Sequence, residues 1–265
     1  MRHYSWSIQS AHSSGVETPA AIGEKYIRML DRFSQIDPVL SGWSIWQDNC
    51  TLDELEAWAE KGMPEPAPVR AVPLDEARRD MTAFVEANAQ LDDWGEPQPD
   101  EGYGLLAHNK YNLTARNVSV MVKAGSKSDF NNWRVDFGEV GDPPDPSILT
   151  YPIMGGIFRA MIPIWPTPWA IVQGSTAEYE KRREERRGYI GTTNVETFRH
   201  DIAWMGYLSA ELAPGFEPPA DLISERTADG VLMISAEARP DPADPDQMRR
   251  GDLLKAIMDK HFPNR

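Results

Sequence analysis

The sequence has little cysteine and no long apolar run. Its 265 residues include one cysteine, Cys50, which excludes an internal disulfide and a metal site built from several thiolates. No apolar segment approaches the ~20 residues that a membrane-spanning helix needs. The first residues have the pattern of neither a signal peptide nor a transit peptide. These absences predict a soluble cytoplasmic protein.

Basic residues are also scarce. The chain has 27 Lys and Arg against 41 Asp and Glu, a formal net charge of −14. Binding to nucleic acid or to an anionic membrane relies on cationic side chains, so we expect neither as a partner. Residues 1–100 hold 8 of the basic and 18 of the acidic side chains. This excess is typical either of a solvated surface or of a field that attracts a basic partner, and charge alone does not decide between them.

Hydrophobic periodicity predicts both strands and helices. The dipeptide Asp229-Gly230 predicts a hairpin turn with a positive φ at the glycine. Helical spacing over 18–36 follows a Thr-Pro start, which is typical of a capped helix. Further helices are predicted over 73–91, 148–164 and 245–262, and strands over 4–9, 41–47, 103–108, 117–123, 133–137, 169–172, 202–208, 222–226 and 231–235.

These elements predict an α+β fold, with a mixed, largely antiparallel sheet and packed helices. The order strand, long helix, strand occurs at 4–47 and again at 133–172, which suggests two related halves. We expect a single domain over residues 1–265, with a subdivision near 100–130 as the alternative.

No arrangement of residues predicts catalysis. None of the five histidines is spaced i, i+4 from another, so a helical metal site is not expected. His200 and Asp201 would point to opposite faces of a strand. The segment around Lys127 resembles a phosphate-binding loop but lacks the upstream glycine. We therefore expect no enzyme activity, no metal and no cofactor.

The C-terminal part of the chain carries a resemblance to a known family. Residues 204–213 read W-M-G-Y-L-S-A-E-L-A, and the segments D-G-V-L-M-I-S and P-A-D-P-D follow before a closing helix. With the early segments Y-S-W-S-I-Q and W-S-I-W, this pattern resembles the immunity protein 52 family of bacterial toxin systems. The resemblance implies a protein that neutralises a type VI secretion effector with a restriction-endonuclease-like toxin domain.

Such a toxin presents a basic groove, so the acidic residues at helix starts and loops are the candidate binding residues. They are Asp48, Asp53, Glu54, Glu56, Asp92, Asp93 and Glu96. The nearby Trp46, Trp58 and Trp94 are expected in the core, with interface anchors as the alternative. An enzyme or a small-ligand protein with a dispersed polar pocket is the alternative function. A deep apolar pocket holding His108 or His200 beside a carboxylate of perturbed pKa would favour it.

Overall fold

Ten strands in the described part of the chain form one sheet in the computed structural model, and every neighbouring pair is antiparallel. The structure describes residues 6–11, 15–47, 61, 70–92, 94–109, 117–127, 131–138, 144–174, 202–241 and 243–262. The strands are β1 Trp6–Ala11, β2 Ser44–Gln47, β3 Arg70–Pro73, β4 Tyr103–His108, β5 Val118–Ala124, β6 Asn132–Phe137, β7 Trp169–Gly174, β8 Ile202–Ser209, β9 Ile223–Arg226 and β10 Gly230–Ile234. Their order across the sheet is β3-β2-β4-β5-β6-β1-β7-β8-β10-β9.

Five α-helices accompany the sheet in the described ranges. They are α1 Pro19–Ile36, α2 Leu74–Ala77, α3 Met81–Glu86, α4 Tyr151–Ile164 and α5 Pro245–Lys260. The predicted α+β fold with a largely antiparallel sheet is confirmed. No helix among them combines the length and the apolar character that crossing a bilayer requires.

Helix α1 forms where its sequence pattern places it. The Thr18 hydroxyl accepts a hydrogen bond from the Ala21 N–H (3.3 Å), and Pro19 opens the first turn. The apolar face of this helix, which includes Ile22, Tyr26 and Phe33, is buried. The Tyr26 hydroxyl donates to the Val120 carbonyl of β5 (3.2 Å). Helices α3 and α4 pack beside α1, so these three helices and one face of the sheet enclose the main core.

The opposite face of the sheet is covered in part by α5. This helix packs on β8, and Leu254 and Met258 form a second apolar cluster with Ile171 and Met233. Gln9 of β1 is the register neighbour of Ile171 on β7, so both side chains lie on this face of the sheet. A polar region begins at Gln9. The described part of the chain places no helix over that region, which extends across β1, β6, β5 and β4.

The two strand-helix-strand units are present as β1-α1-β2 and β6-α4-β7. Their first strands, β1 and β6, are neighbours, and their helices pack against each other. The units differ in the sheet, because three strands separate β1 from β2 whereas only β1 separates β6 from β7.

The helix predicted over residues 73–91 is wrong as one continuous element. Arg70–Pro73 is strand β3, and two short helices follow, with a 3-10 turn at Arg78–Asp80 between them. The break falls at Asp80, whose backbone is not helical (φ −149°, ψ 60°). The Asp80 carboxylate accepts from the Ala83 N–H (3.2 Å) and so begins α3 afresh.

The turn between β9 and β10 also differs from its prediction. The Thr227 N–H donates to the Gly230 carbonyl (2.9 Å), so Ala228 and Asp229 form the tip and Gly230 lies in the strand. Gly230 is not among the glycines with positive φ. The predicted hairpin is confirmed, but the prediction that Gly230 has a positive φ is wrong.

Helix α5 begins at a cap that responds to pH. The Asp244 carboxylate accepts from the backbone N–H groups of Gln247 (3.2 Å) and Asp246 (2.9 Å), and from the Gln247 amide (2.8 Å). These bonds, the Gln247 backbone bond first, lower the pKa of Asp244.

We expect Asp244→Ala to lower the melting temperature at pH 7, because α5 loses its cap. A lowered pKa stabilises the fold above the unfolded value of about 3.9, and this stabilisation is lost as the pH falls through the folded value. The difference between variant and wild type should therefore shrink in melting curves recorded at successively lower pH. A difference that stays constant down to pH 2 would contradict this role.

Candidate interaction surface

The candidate binding residues that the structure describes lie in a loop between α3 and β4. We define residues 90–98 as the Trp94 loop. It contains Asp92 and Glu96. The other candidates lie outside the described residues: Asp48, Asp53, Glu54, Glu56 and Asp93, together with Trp58, Cys50 and His200.

The Trp94 loop is a miniature hairpin. The Gln98 N–H donates to the Gln90 carbonyl (2.6 Å), and the Asp92 N–H donates to the Glu96 carbonyl (3.0 Å). Leu91 forms an isolated antiparallel bridge with Pro97. Backbone pairing therefore holds both sides of the loop.

Asp92 organises the tip of this hairpin. Its carboxylate accepts from the N–H groups of Trp94 (2.9 Å) and Glu96 (2.9 Å) and from the Gln98 amide (3.3 Å). An aspartate that accepts N–H groups two and four residues onward fixes a tight turn. Gly95 completes the turn at φ 83°, a conformation that favours glycine. The Asp92 side chain is half-buried and holds the loop, whereas Glu96 is exposed.

Trp94 is 85% exposed and Leu91 is 57% exposed. The expectation that Trp94 belongs to the core is therefore wrong, whereas Trp46 is half-buried and meets the His108 ring edge-on at 5.5 Å. The sequence did contain a signal. Trp94 stands in Asp-Asp-Trp-Gly-Glu, where turn-forming and charged neighbours supply no apolar periodicity.

The base of the loop is fastened to the sheet. Gly102 lies at φ 92°, and its carbonyl accepts from the Gln90 N–H (2.9 Å). A Cβ at Gly102 would lie 2.7 Å from the Ala124 carbonyl oxygen, so the backbone of β5 passes directly beside it. Lys127 binds Asp100 through both its backbone N–H (2.9 Å) and its ammonium group (2.5 Å). These contacts fix where the loop leaves the sheet.

Acidic side chains surround the exposed tryptophan in the sequence. Residues 86–101 contain six acids and no lysine or arginine. Glu86, Glu96 and Glu101 are exposed, and Asp100 is the acid that pairs with Lys127. Leu91 and Trp94, both exposed, therefore stand in a segment whose charged residues are all acidic.

The polar region of the sheet has a different character. Arg134 donates from Nε to Asp136 (2.8 Å), and Met121, the register neighbour of Arg134 on β5, is 44% exposed. Burial raises the pKa of Asp136, against the opposing charge and hydrogen bond of Arg134. Positive and negative side chains stand side by side in the polar region of the sheet, so this region does not attract partners of one charge.

Two shallow cavities of about 370 Å³ each lie elsewhere. One follows the outer side of α1 beside Arg28 and Asp31, and the other lies between β10 and α5 beside Glu237 and Arg250. His108 lines neither. In the ranges that the structure describes, no three His, Cys, Asp or Glu side chains are grouped as metal ligands.

Comparison with known proteins identifies a similar fold. No protein-family model matches the sequence, and no curated protein matches it. The solved structure of the T6SS protein PA0821 of Pseudomonas aeruginosa is similar, with a TM-score of 0.52 and 11% identity. The similarity covers 96% of this chain and 73% of that chain. At this identity it shows the fold alone, and membership of the immunity protein 52 family stays a prediction.

Proposed function

We propose that this protein is a non-catalytic immunity protein of a type VI secretion system, which binds and neutralises a cognate toxin effector in the bacterium that makes both. The observation that carries the proposal is the fold similarity to a T6SS protein over nearly the whole chain. The sequence resemblance to the immunity protein 52 family supports it, as does the concentration of acidic residues in the first hundred positions.

The charge of the chain suggests the chemistry of the toxin. A nuclease binds phosphates through Lys and Arg, so its substrate groove is basic. An inhibitor with a net charge of −14 is attracted to such a groove before contact, which raises the association rate and disfavours acidic partners. We therefore propose a nuclease effector.

The direct test is co-expression with a candidate toxin, sought among the genes adjacent to the one that encodes this protein. Cells carrying the toxin alone should stop growing, and this protein should restore growth. The purified pair should form a complex, and the toxin's hydrolysis of nucleic acid should fall as this protein is added. Continued growth arrest, together with the absence of a complex, would contradict the proposal.

Reversal of the exposed acids that flank Trp94 in the sequence should slow association. We expect the triple variant Glu86→Lys, Glu96→Lys, Glu101→Lys to associate about tenfold more slowly at low salt, because it loses attraction at long range. Asp92 and Asp100 are left unchanged, since they hold the loop and bind Lys127. Stopped-flow mixing with the toxin measures the rate, and added salt should bring the wild-type rate towards that of the variant.

A matched control changes the total charge by the same amount elsewhere. Glu211, Asp229 and Glu237 are exposed acids in the second half of the chain, and their reversal to lysine should affect the rate less. Equal slowing in both triple variants would mean that only net charge matters. A separate variant with Asp48, Asp53, Glu54 and Glu56 reversed tests four further candidates.

A further inference from the structure

We infer that Trp94 and Leu91 are the apolar anchors of the interface, and that they enter an apolar pocket rimmed by Lys and Arg on the effector. This inference rests on the proposed function and names the part of the surface that performs it. Trp94 is the most exposed large hydrophobic side chain in the described ranges, at 85%, followed by Val16 at 67% and Leu91 at 57%. Trp94 and Leu91 therefore lie in the same loop of nine residues.

The loop is built to present these side chains rather than to bury them. Asp92 and the Leu91–Pro97 bridge fix its tip, and Gly102 fixes its base against β5. Ordering a mobile loop would reduce the affinity of a complex, and a loop already ordered avoids that cost. A tryptophan held in this way offers a large contact area with two side-chain torsions to restrict.

The charges around Trp94 specify the kind of partner. Glu96 lies in the Trp94 loop, and Glu86 and Glu101 are exposed acids that flank the loop in the sequence, so cations around the partner's pocket would match this segment. The same acids repel a second copy of this loop, nucleic acid and anionic lipid. A pocket on a partner protein with an apolar floor and a basic rim would match both the exposed apolar side chains and the acidic residues.

The test uses this 265-residue protein, with the purified domain of the toxin that it neutralises in co-expression as the probe. Trp94→Ala should weaken the affinity by about 30-fold, the size of effect seen for anchoring aromatic residues, and mainly by faster dissociation. Trp94→Phe should recover part of the loss because it restores an aromatic ring. Ile223→Ala removes a 45% exposed apolar side chain from the edge strand β9 and serves as the matched control.

Faster dissociation of Trp94→Ala, with an unchanged melting temperature and a control within twofold of wild type, would support the inference. If the wild type binds and Trp94→Ala binds within twofold of it, the inference is overturned while the proposed function stands. If the wild type does not bind the toxin, the proposed function falls and the inference with it. Conversion of a dimer into a monomer by Trp94→Ala, seen by sedimentation, would make a second copy the occupant and overturn the inference.

Discussion

Trp133→Ala is expected to lower the free energy of unfolding by about 3–5 kcal/mol, the range for truncating a large buried aromatic residue. Trp133 is fully buried in β6, within the core that α1 and α4 cover. Its ring N–H donates to the Trp165 carbonyl (3.4 Å), so truncation removes a hydrogen bond as well as apolar contacts. Because β6 lies between β5 and β1, the cavity would form at the centre of the sheet.

Trp94→Ala is the matched control, since it removes the same side chain from an exposed position. Its effect on unfolding should stay within about 0.5 kcal/mol, as for most surface substitutions. Urea unfolding followed by circular dichroism measures both variants. Similar losses for the two tryptophans would contradict the assignment of one to the core and the other to the surface.

Gly230→Val is expected to destabilise the protein by about 3 kcal/mol or more, at the upper end of the range for overpacking. A Cβ at Gly230 would lie 2.3 Å from the Leu208 carbonyl oxygen and 2.8 Å from the Tyr207 ring. The nearer atom belongs to the backbone of β8, so rotation of a side chain does not relieve the contact. The paired strands β8 and β10 would have to separate locally.

Two further variants distinguish this packing effect from a turn conformation. Asparagine tolerates positive φ well, so Gly230→Asn would be accepted if the turn required that conformation. The contact with Leu208 predicts instead that Gly230→Asn is also strongly destabilising. Gly15→Ala is the control, because nothing lies within 4 Å of its Cβ position, and it should change the melting temperature little. A stable Gly230→Asn variant would restore the turn interpretation.

The sequence predicts elements whose cause is local. The Thr18 cap, Pro19 and the apolar repeat are contiguous, and the helix forms within one residue of the predicted start. Strands β4, β6 and β7 likewise show their alternation or apolar content directly. The prediction for Gly230 fails because a distant contact decides the outcome there. Gly230 is a glycine because β8 passes beside it, and its own neighbours in the sequence do not contain that information.

The candidate surface was predictable in its charge and not in its geometry. Counting acids leads to the segment that contains Asp92 and Glu96. It does not reveal that Asp92 binds three donors of its own loop, or that this leaves Trp94 exposed. A tryptophan predicts burial on average, and here a short aspartate-centred turn overrides that tendency.

The position of β1 in the sheet has a consequence for biosynthesis. Trp6–Ala11 is made first, but its two neighbours are Asn132–Phe137 and Trp169–Gly174. A ribosome that adds about 5–20 residues each second needs roughly 10–30 s to pass from the first strand to the last of these three. During that time the strand carries Trp6 and Ile8 without the partners that bury them. Nascent chains that have not yet reached Trp169–Gly174 are therefore the ones exposed to aggregation and to chaperones.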